Sequence, residues 1–171
     1  ASLAYNESVS LELRGVFYQD AFKKAINSLI VRHEALRSTV SKNGENLIIY
    51  KELSSSIIID DLTAIDSDKR LNNFHEFIRN EMAAPFDLYE GPLFRIYLHK
   101  IEENVHYFTL IIHHIIGDGW SIGIILEDLS KMYNSYVHGT LPQLEPAEQI
   151  SDYTLQQINF TNSSEYIETQ N

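Results

Sequence analysis

Between Gln19 and His33 the apolar residues Phe22, Ala25, Ile26, Leu29 and Ile30 recur at three- and four-residue intervals, while Lys23, Lys24, Asn27 and Arg32 fall on other faces. That is the pattern of a helix with one side on a core. Tyr18 stands where a capping Asp or Ser would be expected, and Asp20 in the first turn suits the positive end of the helix dipole. A second helical period runs from Asp66 to Ala84, with Leu71, Phe74, Phe77, Ile78 and Met82 inward and Lys69, Arg70, Asn73 and Arg79 outward. Pro85 ends it. A third, from Ser121 to about Tyr136, buries Ile122, Ile125, Leu126, Leu129 and Tyr133, and Gly139 is its stop.

Alternation from Val9 to Arg14 predicts a strand with one buried face, closed by Gly15. Val31–Val40 runs off the first helix toward a strand, Lys42-Asn43-Gly44-Glu45 is a turn signal, and Asn46–Tyr50 and Ser56–Asp60 read as strands; the first pair, on either side of that turn, reads as a hairpin. The segment from Pro85 to Leu93 has the prolines and glycine of an ordered loop leading to a strand at Phe94–His99. After Glu102-Glu103-Asn104 turns the chain, Val105–Ile112 becomes fully apolar by Leu110-Ile111-Ile112, which predicts a central strand covered on both faces. Beyond Gly139 the character changes. Leu141 to Asn171 carries Pro142, Pro146, few aliphatics and the polar run Asn159 to Glu165, so it is expected either to lie against something missing or to be partly disordered.

With 171 residues, 44% of them hydrophobic, the chain has material for one core. A net charge of −11 without any Lys/Arg cluster argues against a nucleic-acid partner. No apolar run reaches membrane length and the start lacks a secretory pattern, so a soluble, cytoplasmic protein with no membrane partner is expected. The absence of cysteine removes disulfides, zinc-thiolate sites and thiol catalysis, and is compatible with a reducing cytoplasm.

The chemistry gathers at His113-His114-Ile115-Ile116-Gly117-Asp118-Gly119-Trp120-Ser121, where a buried strand delivers titratable groups to the mouth of a helix. Metal binding is not expected, because adjacent residues on a strand point to opposite faces and cannot easily hold one ion. No serine sits in a nucleophile elbow, and Ser121 reads as the cap of the following helix. The geometry favours one histidine turned inward and the other facing a cavity as a base or orienting group, without deciding which. Asp118 could accept from backbone amides or pair with an arginine. Free N–H groups at the helix start suit negative charge developing at a carbonyl oxygen, which points to acyl transfer. Arg32 to Arg37, taken alone, reads as a solvated helix end.

This stretch resembles the HHxxxDGWS signature of the condensation domains of nonribosomal peptide synthetases. Arg32-His33-Glu34-Ala35-Leu36-Arg37 resembles the RHExLR motif of that family, and Pro85-Phe86-Asp87-Leu88 with Gly91-Pro92-Leu93-Phe94-Arg95 its PFDL..GPL.R segment. The resemblance spans roughly Tyr5 to Tyr153; Ile150-Ser151-Asp152-Tyr153 is similar to a Tyr-x-Asp-Tyr motif near the crossing between lobes, with Ile150 in place of the usual tyrosine. It implies an α/β fold, an α+β two-layer sandwich forming one chloramphenicol acetyltransferase-like lobe, with a mixed sheet covered by helices. Residues 1–140 would be the N-terminal lobe lacking its first helical motif, and 141–171 the start of the crossing to an absent C-terminal lobe.

The resemblance further implies that an acceptor amine attacks a donor thioester, both carried on the phosphopantetheine arms of donor and acceptor carrier proteins, with no cofactor bound by this chain. His114 would deprotonate or position the amine. His113 would turn inward, and Asp118 would be structural, paired with Arg32 or Arg37. Gly119 would admit substrate close to the backbone, its amide helping to bind the thioester oxygen. Trp120 and Ser121 border the substrate region, with Trp120 expected to pack rather than to contact substrate. DGWS favours peptide-bond formation over epimerisation or cyclisation, and RHExLR leans toward a donor of L configuration. The neighbouring synthetase domains and the missing lobe are the other expected partners, and the isolated chain is expected to be inactive. Alternatives are a freestanding acyltransferase using a soluble thioester and a noncatalytic docking module.

Overall fold

The computed structural model describes residues 5–53 and 55–161, with side chains described through residue 155. In chain order it contains β1 (Asn6–Arg14), α1 (Gln19–Arg32), a 3-10 turn at Glu34–Arg37, β2 (Ser38–Val40), β3 (Leu47–Ile49), β4 (Ile57–Asp61), α2 (Ser67–Ala83), β5 (Phe94–Glu102), β6 (Val105–His113), α3 (Gly119–Val137) and α4 (Ile150–Thr161). The main sheet runs β1-β6-β5-β4, antiparallel except for the parallel β4/β5 pair; β2 and β3 form a separate antiparallel hairpin. This is the mixed sheet with helices that the sequence predicts.

β6 holds the central place expected of its apolar run. Phe108 to Ile112 are all buried, and alternation divides them between two covered faces. On one, Phe108 meets Phe22 of α1 at a ring separation of 5.6 Å. On the other, Tyr107 and His99 meet Phe74 of α2 at 4.8 and 5.3 Å. Two details of α2 differ from the expected helix faces. Arg70 is not a solvated outer residue: its guanidinium donates to the carbonyls of Ile65 and Thr63 in the loop before α2 and of Ile101 at the register shift of β5, a set that one five-donor fork can satisfy together. Leu71, expected inward, is exposed.

The proline-bounded segment after α2 explains how the site is held from below. The last turn of α2 has no basic residue, so its orphan carbonyls need donors from elsewhere. Asn6 Nδ2 reaches Met82 O and Ala84 O at 3.0 and 3.1 Å, and Arg95 donates to the carbonyls of Glu81, Ala84 and Pro85 while its guanidinium lies over the Phe86 ring. Gly91, at φ +64°, sits where a Cβ would come within 2.8 Å of Thr39 Cγ2. Only glycine fits both constraints.

On the other face α1 packs along α3, and the chain beyond Gly139 is tied to the end of α1. Arg32 donates to Glu145 O, the Gln149 amide bridges Arg32 O and Glu34 N, and Ser151 Oγ donates to Glu34 at 2.6 Å. This corrects the expectation for the segment after Gly139: its first part lies against the chain's own α1 end, because the carbonyls and carboxylate there offer partners, and α4 follows it; the part from residue 162 onward is outside the described residues. Among the described residues, no helix is long and apolar enough to cross a membrane.

Candidate active site

The ladder between β1 and β6 continues past the last strand residue, pairing His113 with Asn6 and letting His114 N donate to Tyr5 O at 2.7 Å. Both histidines are thus fixed in backbone position before their side chains diverge. His113 turns to the α2 side, with its ring 6.1 Å from both Tyr5 and Phe86, and its Nδ1 accepts from Ile115 N at 3.1 Å. Burial, with a smaller push from His114, holds its pKa below the ordinary 6.5. It is an oriented, half-buried neutral ring.

His114 turns the other way, toward the start of α3. Its Nδ1 lies 3.0 Å from Gly117 O, and since a carbonyl only accepts, Nδ1 carries the hydrogen and Nε2 presents its lone pair. Nε2 has no hydrogen-bond partner among the described residues, and the side chain is 47% exposed. Glu7 Oε1 stands 3.5 Å from Nδ1. The Gly117 carbonyl first, then the charges of Glu7 and Asp118, raise the His114 pKa above 6.5.

The turn is compact because Gly117 has no side chain: a Cβ there would approach Ser121 Cβ at 3.0 Å and Ile112 Cδ1 at 3.3 Å. Asp118 follows as the N-cap of α3, its Oδ1 accepting from Ser121 N at 2.9 Å and Ser121 Oγ at 2.8 Å. These bonds hold its pKa below the ordinary 3.8. This corrects two expectations. The cap is Asp118, and Ser121 is the residue it caps through. Nor does Asp118 pair with an arginine. Arg32 is engaged by Asp128 at 2.8 Å, about 15 Å further along α3 at 1.5 Å per residue, and Arg37 donates to the carbonyls of Ile30, Val31, Tyr50 and Lys51. The two arginines do not join His114; they close the end of α1 and bind the following loops.

Gly119 opens α3, and a Cβ there would meet nothing within 4 Å. The amides of Gly119 and Trp120 find no acceptor among the described residues, as expected of a first turn. Trp120 is 80% exposed, so the expectation that it packs is corrected for this lobe. At 100° per residue it lies roughly 200° around the helix from the buried Ile122.

Two charged residues beside these segments were not singled out by sequence. Asp128, 7% exposed, accepts from Arg32 Nε at 2.8 Å and His33 Nε2 at 2.9 Å. The signal was present, since Asp128 falls three residues after Ile125 on the apolar stripe of α3, where an acid must find a cation or donor. Glu7 was the other. It sits in phase with Val9, Leu11 and Leu13, an acid at the head of an otherwise apolar face of β1.

The family model "Condensation domain" matches residues 1–171. The chain belongs to the condensation-domain family. It is 35% identical over 144 residues, 83% of its length, to a linear gramicidin synthase polypeptide of Brevibacillus parabrevis, and 35% identical over 147 residues, 84% of its length, to malpibaldin synthetase of Mortierella alpina. It spans only 2% and 3% of those two chains. Its fold matches the starter condensation domain of rhizomide synthetase RzmA with a TM-score of 0.88 at 23% identity, covering 98% of this chain and 40% of that one. The SgcC5 protein of Streptomyces globisporus gives 0.78 at 22% identity, covering 94% and 37%. In this condensation-domain chain the histidine turn is the signature segment of the sequence reading. The Arg32-His33-Glu34 segment takes a different place, bracing α3 and the chain that follows it.

Proposed function

We propose that this chain is the N-terminal lobe of a condensation domain that forms an amide between two carrier-bound substrates, with His114 as the group that handles the proton of the acceptor amine. The observation that carries the reading is the His114 tautomer: Nδ1 held on Gly117 O, with Nε2 open. The amine nitrogen adds to the thioester carbonyl carbon and the C–N bond forms. Nε2 takes the amine proton, the C–S bond breaks, and the proton passes to the departing phosphopantetheine thiolate. Oxygen charge in the addition step is met by the free amides at the start of α3. The open space beside Gly119 supports close passage of substrate. Asp118 keeps the turn in register by capping, while Arg32 and Arg37 support it only through the fold. The facing C-terminal lobe, donor and acceptor carriers and adjoining domains of a cytoplasmic synthetase complete the machine.

In the parent synthetase, with donor and acceptor carriers preloaded, His114→Ala is expected to slow amide formation by about 10²- to 10⁴-fold, the range for loss of a general base. Carrier loading stays unchanged. Undiminished product overturns the reading.

A further inference from the structure

We propose that Glu7 is the positioning carboxylate of His114, its charge favouring the Nδ1-protonated ring that Gly117 O holds and the imidazolium that forms when Nε2 takes the amine proton. This role rests on the proposal that His114 handles that proton.

Glu7 pairs with Ile112 in the β1/β6 register, and directly paired residues of antiparallel strands project from the same face. That face is the one carrying Phe108, Leu110 and Ile112 toward α1 and α3. Along β1 the same phase continues through Val9, Leu11 and Leu13. A carboxylate thus occupies the one place in the stripe that lies beside the His114 turn, with its backbone locked in the ladder and its side chain 35% exposed. At 3.5 Å from Nδ1, Glu7 Oε1 is too far for a good hydrogen bond, which Gly117 O already supplies at 3.0 Å. Glu7 therefore acts through its charge, and no proton is relayed to it.

The charged and titratable groups facing His114 are Glu7 from β1, Asp118 from the start of α3, and His113 from the preceding position. Asp118 has both Ser121 donors on its Oδ1. Glu7 forms no other ion pair among the described residues, leaving its charge to His114. Its removal consequently moves His114 protonation to lower pH and leaves a weaker base.

Titration of the His114 ring resonances by NMR in this chain tests the coupling, with His114→Gln identifying the signals. In Glu7→Gln the midpoint is expected at lower pH than in wild type, and in Glu7→Asp, which keeps the charge, between the two. A midpoint unmoved in Glu7→Gln overturns the proposal. If that variant does not fold, Glu7→Met, which continues the apolar stripe, supplies the same readout with the same two outcomes. In the parent synthetase the acid limb of the pH–rate profile moves down with Glu7→Gln; a stationary limb in a synthetase that His114→Ala inactivates overturns the catalytic part. If His114→Ala leaves product undiminished, it is the amide-forming reading that fails, and the titration still decides whether Glu7 governs His114.

Discussion

At the end of α1, His33 lies 2.9 Å from Asp128 with both side chains about one-tenth exposed, whereas at the end of β6, His114 lies half exposed between Gly117 O and Glu7. The residue types are the same and the outcomes opposite. Burial is the largest influence on His33 and holds it neutral against the pull of Asp128, and Arg32 already balances that carboxylate. A proton on His33 would add an unmatched charge to a dry cluster. His114 has water on one side, a carbonyl fixing its tautomer and carboxylates favouring its protonated form. Completed partnering makes a brace; an open nitrogen with a fixed tautomer is what the proposed proton-handling role of His114 requires.

The contrast can be broken most forcefully at Asp128. Asp128→Ala leaves the buried His33 without its partner and the half-buried Arg32 with only Glu145 O among these acceptors, and is expected to destabilise the fold by about 3 kcal/mol, the lower end for a broken buried pair, read as a lower urea midpoint. Asp118→Ala removes only an exposed helix cap and should cost about 1 kcal/mol by the same measurement. Equal losses from the two substitutions would erase the distinction between brace and site.

A smaller effect comes from pH. His33 and His99 both have pKa values below the ordinary 6.5, chiefly through burial; His99 is 1% exposed and its Nδ1 has no hydrogen-bond partner among the described residues. Unfolding therefore takes up protons as pH falls through about 6.5, so their contribution is intact above that value and is lost progressively below it. Urea midpoints measured from pH 7.5 downward should fall, and less steeply for His33→Gln. A flat profile would mean that these rings are not held neutral by the fold.

Much of this was legible in local pattern. The three helical periods matched α1, α2 and α3 to within a few residues, and the apolar run of β6 announced a central strand that ends at two histidines. The opposite facing of those histidines followed from strand geometry alone. What stayed hidden depends on pairing across distance. The parallel β4/β5 pair had a local sign in the strand, helix and strand read at Ser56–Asp60, Asp66–Ala84 and Phe94–His99, whereas the place of β1 beside β6 in the order β1-β6-β5-β4 rests on pairing across the length of the chain. The partner of Arg32 is ninety-six positions away in sequence, so no local pattern separates Asp128 from Asp118, the partner the resemblance implies; the fold of α3 does, by placing Asp128 against the end of α1. Ser121 reads as a cap because serine commonly is one; the Gly117 turn shifts the helix start so that Asp118 takes the position and Ser121 donates to it.

One NMR titration following all seven histidines of the chain sets the two regions against each other in a single sample. The His114 ring is expected to protonate at a pH above 6.5 and the His33 ring below it. Finding His33 protonated at the same pH as His114, or at a higher one, would contradict the division between a silenced buried histidine and a poised open one.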